Sequence, residues 1–305
     1  MNLRVAVTGV SGFVGHHLAR ELKSHGAYII GADRNQAALD RMGDLVDEHA
    51  VADLAEQWPV TSHVDAVINL AGMAAVGPSF DKPQAYINTN SSILTNICEY
   101  YLSQENRPRI LTISSGAVYD SDQSMPIGES GKLSYGSPYA VSKILNESQC
   151  KYYRTRGLDC IVARPFNHIG PGQLPGFLVP DLLAQLLEAK ESGRKTIPVG
   201  NLKSKRDYTD VRDVVKAYYL LISAESLAHG TYNICSGKSV SGEEVLEIMQ
   251  HELGTDIKTA VDESRIRPND PPVITGDAAA LQVDTGWQLS IPIKQTLKDF
   301  IGDIK

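Results

Sequence analysis

The sequence lacks any apolar run approaching the ~18 residues that a membrane-spanning helix needs. Its start, "MNLRVAVTGV", shows no basic segment leading into a long apolar one, so no signal peptide is expected. Positive charge is not in excess: 29 Lys and Arg stand against 36 Asp and Glu, a net charge of −7. That balance argues against a nucleic-acid or anionic-membrane surface, although a local basic pocket for a small anion stays open. Cysteine is scarce. Cys98, Cys150, Cys160 and Cys235 are scattered with no C-x-x-C spacing, which reads as reduced thiols in the cytoplasm rather than a disulfide framework, and no metal site is expected. Repeats and low-complexity segments are also absent.

What is present is an ordinary globular composition, 42% hydrophobic and 21% charged, in 305 residues. That length suits one large domain or two modest ones with a full core. Short apolar runs alternate with helical stretches through the first half. "LRVAVTG", "AYIIGAD", "DAVINLAG", "PRILTISSG" and "LDCIVARPF" read as buried strands. "FVGHHLARELKSHG", residues 83–105 and residues 137–157 read as helices, the last with Ser137 as N-cap, Pro138 in the first turn and Gly157 at the stop. Strands alternating with helices predict an α/β fold built on a doubly wound parallel sheet. After residue 168 the texture changes to Gly/Pro-rich loops, further helices and one more buried strand, "GTYNICSG", which predicts a smaller C-terminal part.

"TGVSGFVG" is a G-x-x-G-x-x-G turn, with Gly9, Gly12 and Gly15, set between a strand and a helix. Gly9 permits a tight turn, Gly12 lets backbone approach a pyrophosphate, and Gly15 allows close helix–strand packing, so a dinucleotide would lie on the helix N-terminus. Ser11, Phe13 and Val14 belong to the same turn. Asp33 ends the second strand, where a carboxylate accepts from the adenosine ribose hydroxyls and repels a 2′-phosphate. This favours NAD(H). Arg34 beside it keeps NADP(H) open, because a guanidinium can accommodate that phosphate. Asp53, followed by Leu54, reads equally as a contact to the adenine amine or as a helix cap.

"YAVSK" places Tyr139 and Lys143 four residues apart, hence on one face of a helix. A nearby ammonium is expected to lower the phenol's pKa and make it an acid/base near neutral pH. Ser115, at a strand end, could hold the substrate oxygen.

With "TGVSGFVG", "NLAG", "ISSGAVY", "YAVSK", "RPFNHIGPG", "RDYTDVRDVV" and "RPND" in that order, the chain resembles the extended short-chain dehydrogenase/reductase family over essentially its whole length. The resemblance implies a Rossmann-type domain over residues 1–168, with 202–235 returning to it. It implies a nucleotide-sugar domain over 169–201 and 236–305. It implies that Tyr139 moves a proton at a sugar hydroxyl while hydride passes between that carbon and nicotinamide, assisted by Ser115 and Lys143. Leu70, Ala71, Gly72, Asn90 and Pro165 would border the cofactor. Asn167, Val179, Arg206, Arg267 and Asp270 would cradle the nucleotide sugar, the two arginines at the diphosphate and Asp270 at the ribose. His168 is left open between the sugar and a purely structural place in its loop. The resemblance also implies a homodimer through the two long helices, whose apolar residues include Ile93, Ile97, Val141 and Leu145.

The scaffold serves many reactions, and what stands beside Ser115 separates them. Family members that eliminate water present an acidic residue there, and those that epimerise at two carbons present a cysteine. Gly116 and Ala117 occupy those slots here. "RPFNHIGPGQ" and the stretch around Arg206 resemble the branch that reduces GDP-4-keto-6-deoxymannose, and Gly200-Asn201-Leu202 argues modestly for GDP over a deoxythymidine diphosphate. The expectation is a 4-ketoreductase. A 4-epimerase with retained NAD is the alternative, as is the same reduction on a dTDP-linked sugar. A non-catalytic NAD sensor is disfavoured because Ser115, Tyr139 and Lys143 are all present.

Overall fold

The computed structural model describes residues 3–266 and 270–304. The first half runs β1 (Arg4–Thr8), α1 (Phe13–Ser24), β2 (Tyr28–Asp33), α2 (Gln36–Asp40), β3 (Glu48–Val51), β4 (Ala66–Asn69), α3 (Val76–Ser79), α4 (Pro83–Leu102), β5 (Arg109–Ile113), α5 (Pro138–Thr155) and β6 (Cys160–Pro165). The second half adds β7 (Asn167–Ile169), α6 (Leu178–Ser192), β8 (Thr196–Val199), β9 (Lys205–Asp210), α7 (Val211–Ser223), β10 (Thr231–Ile234) and β11 (Ser239–Ser241). It closes with α8 (Gly242–Leu253), β12 (Lys258–Val261), β13 (Val273–Ile274), α9 (Ala279–Thr285) and α10 (Ile293–Ile304).

Seven strands pair in parallel in the order β10-β6-β5-β4-β1-β2-β3. Their near-continuous apolar sequences, such as Val5-Ala6-Val7 and Ala66-Val67-Ile68, are buried because helices cover both faces. One face carries a core of Leu18, Leu22, Val214, Tyr218 and Trp287, contributed largely by α1 and α7. The other carries Leu94, Ile97, Tyr101, Cys150 and Tyr153 from α4 and α5. The expected doubly wound α/β fold is therefore present. Strand order reverses between β2-β1 and β4, which opens a crevice at the carboxyl ends of the strands, the usual ligand site of such sheets.

The smaller part joins β11-β9-β13, with β7 also on β9, and a separate β8–β12 pair. Its core gathers Leu183, Leu186, Ile197, Met249, Leu297 and Phe300. The division of the chain is finer than residue boundaries suggest. Within 202–235, β9 lies in the small sheet while α7 packs on α1 and β10 edges the large sheet. Leu281 of α9 and Trp287 return to the core of the large sheet, because their apolar surface fits beneath α7 and β10.

α5 starts as its sequence dictates: Ser137 Oγ accepts from the Ala140 N–H at 3.1 Å and Pro138 occupies the first turn. α4 and α5 pack on each other. Ile93 and Ile97 do not lie on the free surface of α4. They are buried, since the apolar stripe of α4 is used to cover the sheet. Of the four named residues, Leu145 is exposed and Val141 half-buried. Among the described residues no helix is long and apolar enough to cross a membrane.

Candidate active site

The carboxyl end of β1 sets the first wall of the crevice. Gly9 takes a left-handed backbone, φ +63°, and a side chain there would press on the Ala71 backbone. A Cβ on Gly15 would strike the carbonyl oxygens of Gly9 and Val10, so only glycine lets α1 lie this close to the turn. Gly12 is the N-cap of α1 and brings no capping side chain, which leaves the first-turn N–H groups at Phe13, Val14 and Gly15 for an anion. The opposite wall is Leu70-Ala71-Gly72, after β4. Thr8 Oγ1 donates to Asn69 Oδ1 at 2.8 Å and accepts from the Ala71 N–H at 2.9 Å, tying this loop to β1.

At the end of β2, Ser11 Oγ donates to Asp33 Oδ2 at 2.6 Å, and the Asn35 N–H reaches Oδ1 at 3.2 Å. Arg34 is exposed beside them. Asp53 Oδ1 accepts from the Ala55 N–H at 2.9 Å, so its carboxylate closes a local turn, and Leu54 is buried beneath it. The glycine turn, the open helix start and the Ser11-oriented carboxylate together fit a dinucleotide. The turn would hold the pyrophosphate and Asp33 the adenosine ribose.

Asn90 sits at the floor. Its side chain accepts from the Met73 N–H at 2.8 Å and donates to Met73 O at 3.2 Å and to Ser142 Oγ at 2.9 Å. Ser142 Oγ in turn donates to Tyr139 O at 2.8 Å. Asn90 thus clamps the loop after β4 to the helix that carries Tyr139. A Cβ on Gly72 would meet the Asn90 amide oxygen at 2.6 Å, which explains the glycine there. Pro165, at the end of β6, is buried.

Ser115 follows β5 and caps a short 3-10 turn, accepting from the Ala117 N–H at 3.1 Å. Its hydroxyl neighbours the Tyr139 phenol, whose ring meets Tyr86 edge-on at 6.4 Å between centroids. Lys143 lies one turn along α5 and donates from Nζ to Ile113 O at 2.8 Å, with its nitrogen 5.8 Å from the Tyr139 ring centre. The three side chains are therefore together. One electrostatic expectation is corrected. The phenol is not lowered: burial pushes it above its ordinary value, Ser115 opposes this and Tyr86 adds to it. Burial instead pulls the Lys143 ammonium down to about 8, with Glu147 acting the other way. Desolvation of two groups in one dry pocket outweighs the attraction between them in the free protein.

On the far side, Asn167 opens β7 and is exposed. His168 Nδ1 lies 3.1 Å from Phe166 O, and its ring stacks on Phe13 at 6.3 Å, 9° from parallel. Burial lowers its pKa and keeps it neutral, so here the imidazole braces α1 against β7. Val179 is buried in the smaller core, packed among its apolar residues. Arg206 and Asp270 are paired with each other at 2.5 Å. Arg206 also donates to Lys205 O and Pro271 O, and Ser204 Oγ donates to Asp270 Oδ2 at 2.6 Å. Arg267 lies outside the described residues.

Three elements of the site escaped sequence reading. Thr8 and Asn69 form the brace between its walls. Tyr86 reaches Tyr139 from α4, more than fifty positions away, which spacing cannot reveal. Phe166 lies under Gly116, where a Cβ would come within 2.9 Å of the ring. Only the adjacent "RPFN" run hinted at it.

The model for the NAD dependent epimerase/dehydratase family matches residues 5–235. The chain belongs to that family. It is 34% identical to the GDP-6-deoxy-D-mannose reductase of Pseudomonas aeruginosa, covering 99% of this chain and 97% of that protein. It is 27% identical to UDP-glucose 4-epimerase 2 of Oryza sativa, covering 97% and 80%. The solved structure of RMD from Pseudomonas aeruginosa complexed with NADPH superposes with a TM-score of 0.83 at 31% identity, over 99% of both chains. The matched stretch contains the glycine turn, Asp33 and the Ser115, Tyr139 and Lys143 set described above.

Proposed function

We propose that this protein is an NAD(P)H-dependent oxidoreductase that reduces the 4-keto group of a nucleotide-diphosphate 4-keto-6-deoxy sugar. The substrate we assign is GDP-4-keto-6-deoxy-D-mannose and the product GDP-D-rhamnose. The observation that carries this is the side-chain inventory at the site, a Ser115–Tyr139–Lys143 set with only Gly116 and Ala117 in the neighbouring slots. The 34% identity to GDP-6-deoxy-D-mannose reductase supports the same reading.

When bound, the nicotinamide supplies the hydride to the carbonyl carbon. Ser115 Oγ and the Tyr139 phenol both direct hydrogen bonds at the carbonyl oxygen, which orients it and stabilises its developing negative charge. Tyr139 then gives its proton to that oxygen, and solvent restores the phenol. Lys143 lends its positive charge to the tyrosinate formed in that transfer. A phenol kept protonated by burial is suited to this direction, because reduction consumes a proton. Neither Gly116 nor Ala117 offers a carboxylate or thiol that could take a second proton from the sugar ring.

For the nucleotide sugar, Arg206 is the proposed diphosphate contact, Asp270 the ribose contact, and Asn167 a sugar or phosphate contact. NAD(H) is favoured by Asp33, and NADP(H) remains open through Arg34. We further propose a cytoplasmic homodimer. Four free buried cysteines support a reducing compartment, and Leu145 and Tyr152, 37% and 50% exposed on α5, support the helix pairing. Light scattering tests the dimer.

A 4-epimerase is the second reading, supported by the similarity to UDP-glucose 4-epimerase 2. Incubation with NADH or NADPH and 4-keto-6-deoxy sugars on GDP, deoxythymidine diphosphate and UDP, with product assignment by NMR, separates the two. Stoichiometric loss of reduced nicotinamide is expected. Tightly held NAD with interconversion of 4-epimers and no net redox change would replace the reductase reading.

A further inference from the structure

Behind Ser115 lies a set of buried polar side chains that the scheme above does not use. Arg164, on β6, grips Glu147, on α5, through two bonds, Nε to Oε1 at 2.8 Å and Nη2 to Oε2 at 2.6 Å. Their side chains are only 5% and 3% exposed. Ser114 Oγ donates to Glu147 Oε1 at 2.6 Å. Arg164 Nη1 donates to Tyr119 Oη at 2.6 Å and to Glu129 O at 2.9 Å, and Tyr119 Oη donates to Asn233 Oδ1 at 2.7 Å. Stability alone is a weak reason for such a pair, since well-packed apolar residues of similar volume often replace a buried ion pair without loss.

The placement of the network is specific. Glu147 stands one turn beyond Lys143 on the same face of α5. Ser114 directly precedes Ser115, and Tyr119 ends the short turn that Ser115 caps. One network therefore holds the strand end carrying the hydroxyl and the helix carrying the phenol and the amine. The Lys143 amine meets the Ile113 carbonyl on β5 and the Tyr139 ring and feels the Glu147 charge on its own helix. One step further out, Tyr86 on α4 meets Tyr139, Arg164 on β6 pairs with Glu147, and Tyr218 on α7 acts on the Tyr139 phenol.

We propose that Glu147, clamped by Arg164 and Ser114, is a positioning residue that fixes Ser115 and Lys143 against Tyr139 and sets a negative charge beside the Lys143 amine. The inference rests on the Ser115–Tyr139–Lys143 reading. Burial depresses the Lys143 ammonium and Glu147 counteracts it, so loss of this carboxylate moves the amine toward its neutral form.

The test is the pH profile of ketone reduction in wild type, Glu147→Gln and the paired variant Glu147→Gln/Arg164→Met, which removes both buried charges together. The alkaline fall in kcat/KM is expected to move down by about one pH unit in Glu147→Gln and by a smaller amount in the paired variant, with KM for the nucleotide sugar changed less than about threefold. Glu147→Asp should restore part of the wild-type profile. A folded variant with the wild-type profile overturns the proposal. So does failure of both variants to fold, which would assign the pair to stability. Tyr139→Phe is assayed alongside: if it keeps wild-type turnover, the catalytic reading itself fails, independently of Glu147.

Discussion

The Ser11 hydroxyl and the Asp33 carboxylate are joined at 2.6 Å across the crevice edge, so the glycine turn and the end of β2 form one unit. This bond fixes the carboxylate where two ribose hydroxyls would arrive, and a fixed acceptor discriminates better than a mobile one. Asp33→Ala should lower kcat/KM with NADH by roughly tenfold or more while leaving NADPH equal or improved, a loss in line with an unmade charged hydrogen bond. Ser11→Ala should show the same direction with smaller size. Steady-state kinetics with both nucleotides decides it, and equal losses for the two would remove Asp33 from nucleotide choice.

Tyr139→Phe removes the only atom of that side chain able to move a proton. Turnover should fall by about 10²–10⁴-fold, the usual worth of a general acid. Nucleotide affinity, followed by fluorescence titration, should stay within about threefold, because the ring still packs on Tyr86.

Lys143 links protonation to stability. Its ordinary value of 10.5 is lowered to about 8 by burial, so between these values the unfolded chain binds more protons than the native one. Stability due to this residue therefore rises with pH across that window, and the penalty is complete below about 8. The size is on the order of 3 kcal/mol for a shift of this extent. The difference in urea unfolding free energy between wild type and Lys143→Met should grow in favour of wild type from pH 8 to 10. A flat difference would show that the amine is not depressed.

Gly116 is held to glycine by Phe166. Phe166 has no room to yield, since it stacks on Tyr119 and a Cβ on Gly276 would meet its far edge. Gly116→Ala should cost about 1–3 kcal/mol, typical of overpacking. Phe166→Leu should recover part of that loss in the double variant, measured by thermal unfolding. Additive losses would mean that the two positions are not in contact.

Much of this was legible in the chain because the signals are local. A glycine turn between strand and helix, a carboxylate at the end of the next strand, and Tyr139 and Lys143 at helical spacing each need only a few consecutive residues. The pKa of Tyr139 was misread for the same reason: spacing reveals the neighbouring ammonium but not the burial that outweighs it. That Ile93 and Ile97 are buried within the chain was not legible, because an apolar helix face looks alike whether it covers a sheet or a partner.

By itself the sequence determined the alternation of strands and helices, the nucleotide turn, and the residue types available to the chemistry, since these follow from backbone propensity and short-range spacing. Tertiary structure decided which distant side chains meet: Thr8 with Asn69, Tyr86 with Tyr139, Phe166 under Gly116, Arg206 with Asp270, and Arg164 with Glu147. Those contacts depend on strand order and on how tightly each helix lies on the sheet. They also set the dielectric around each charge, and that is why protonation could be assigned only once the chain was folded.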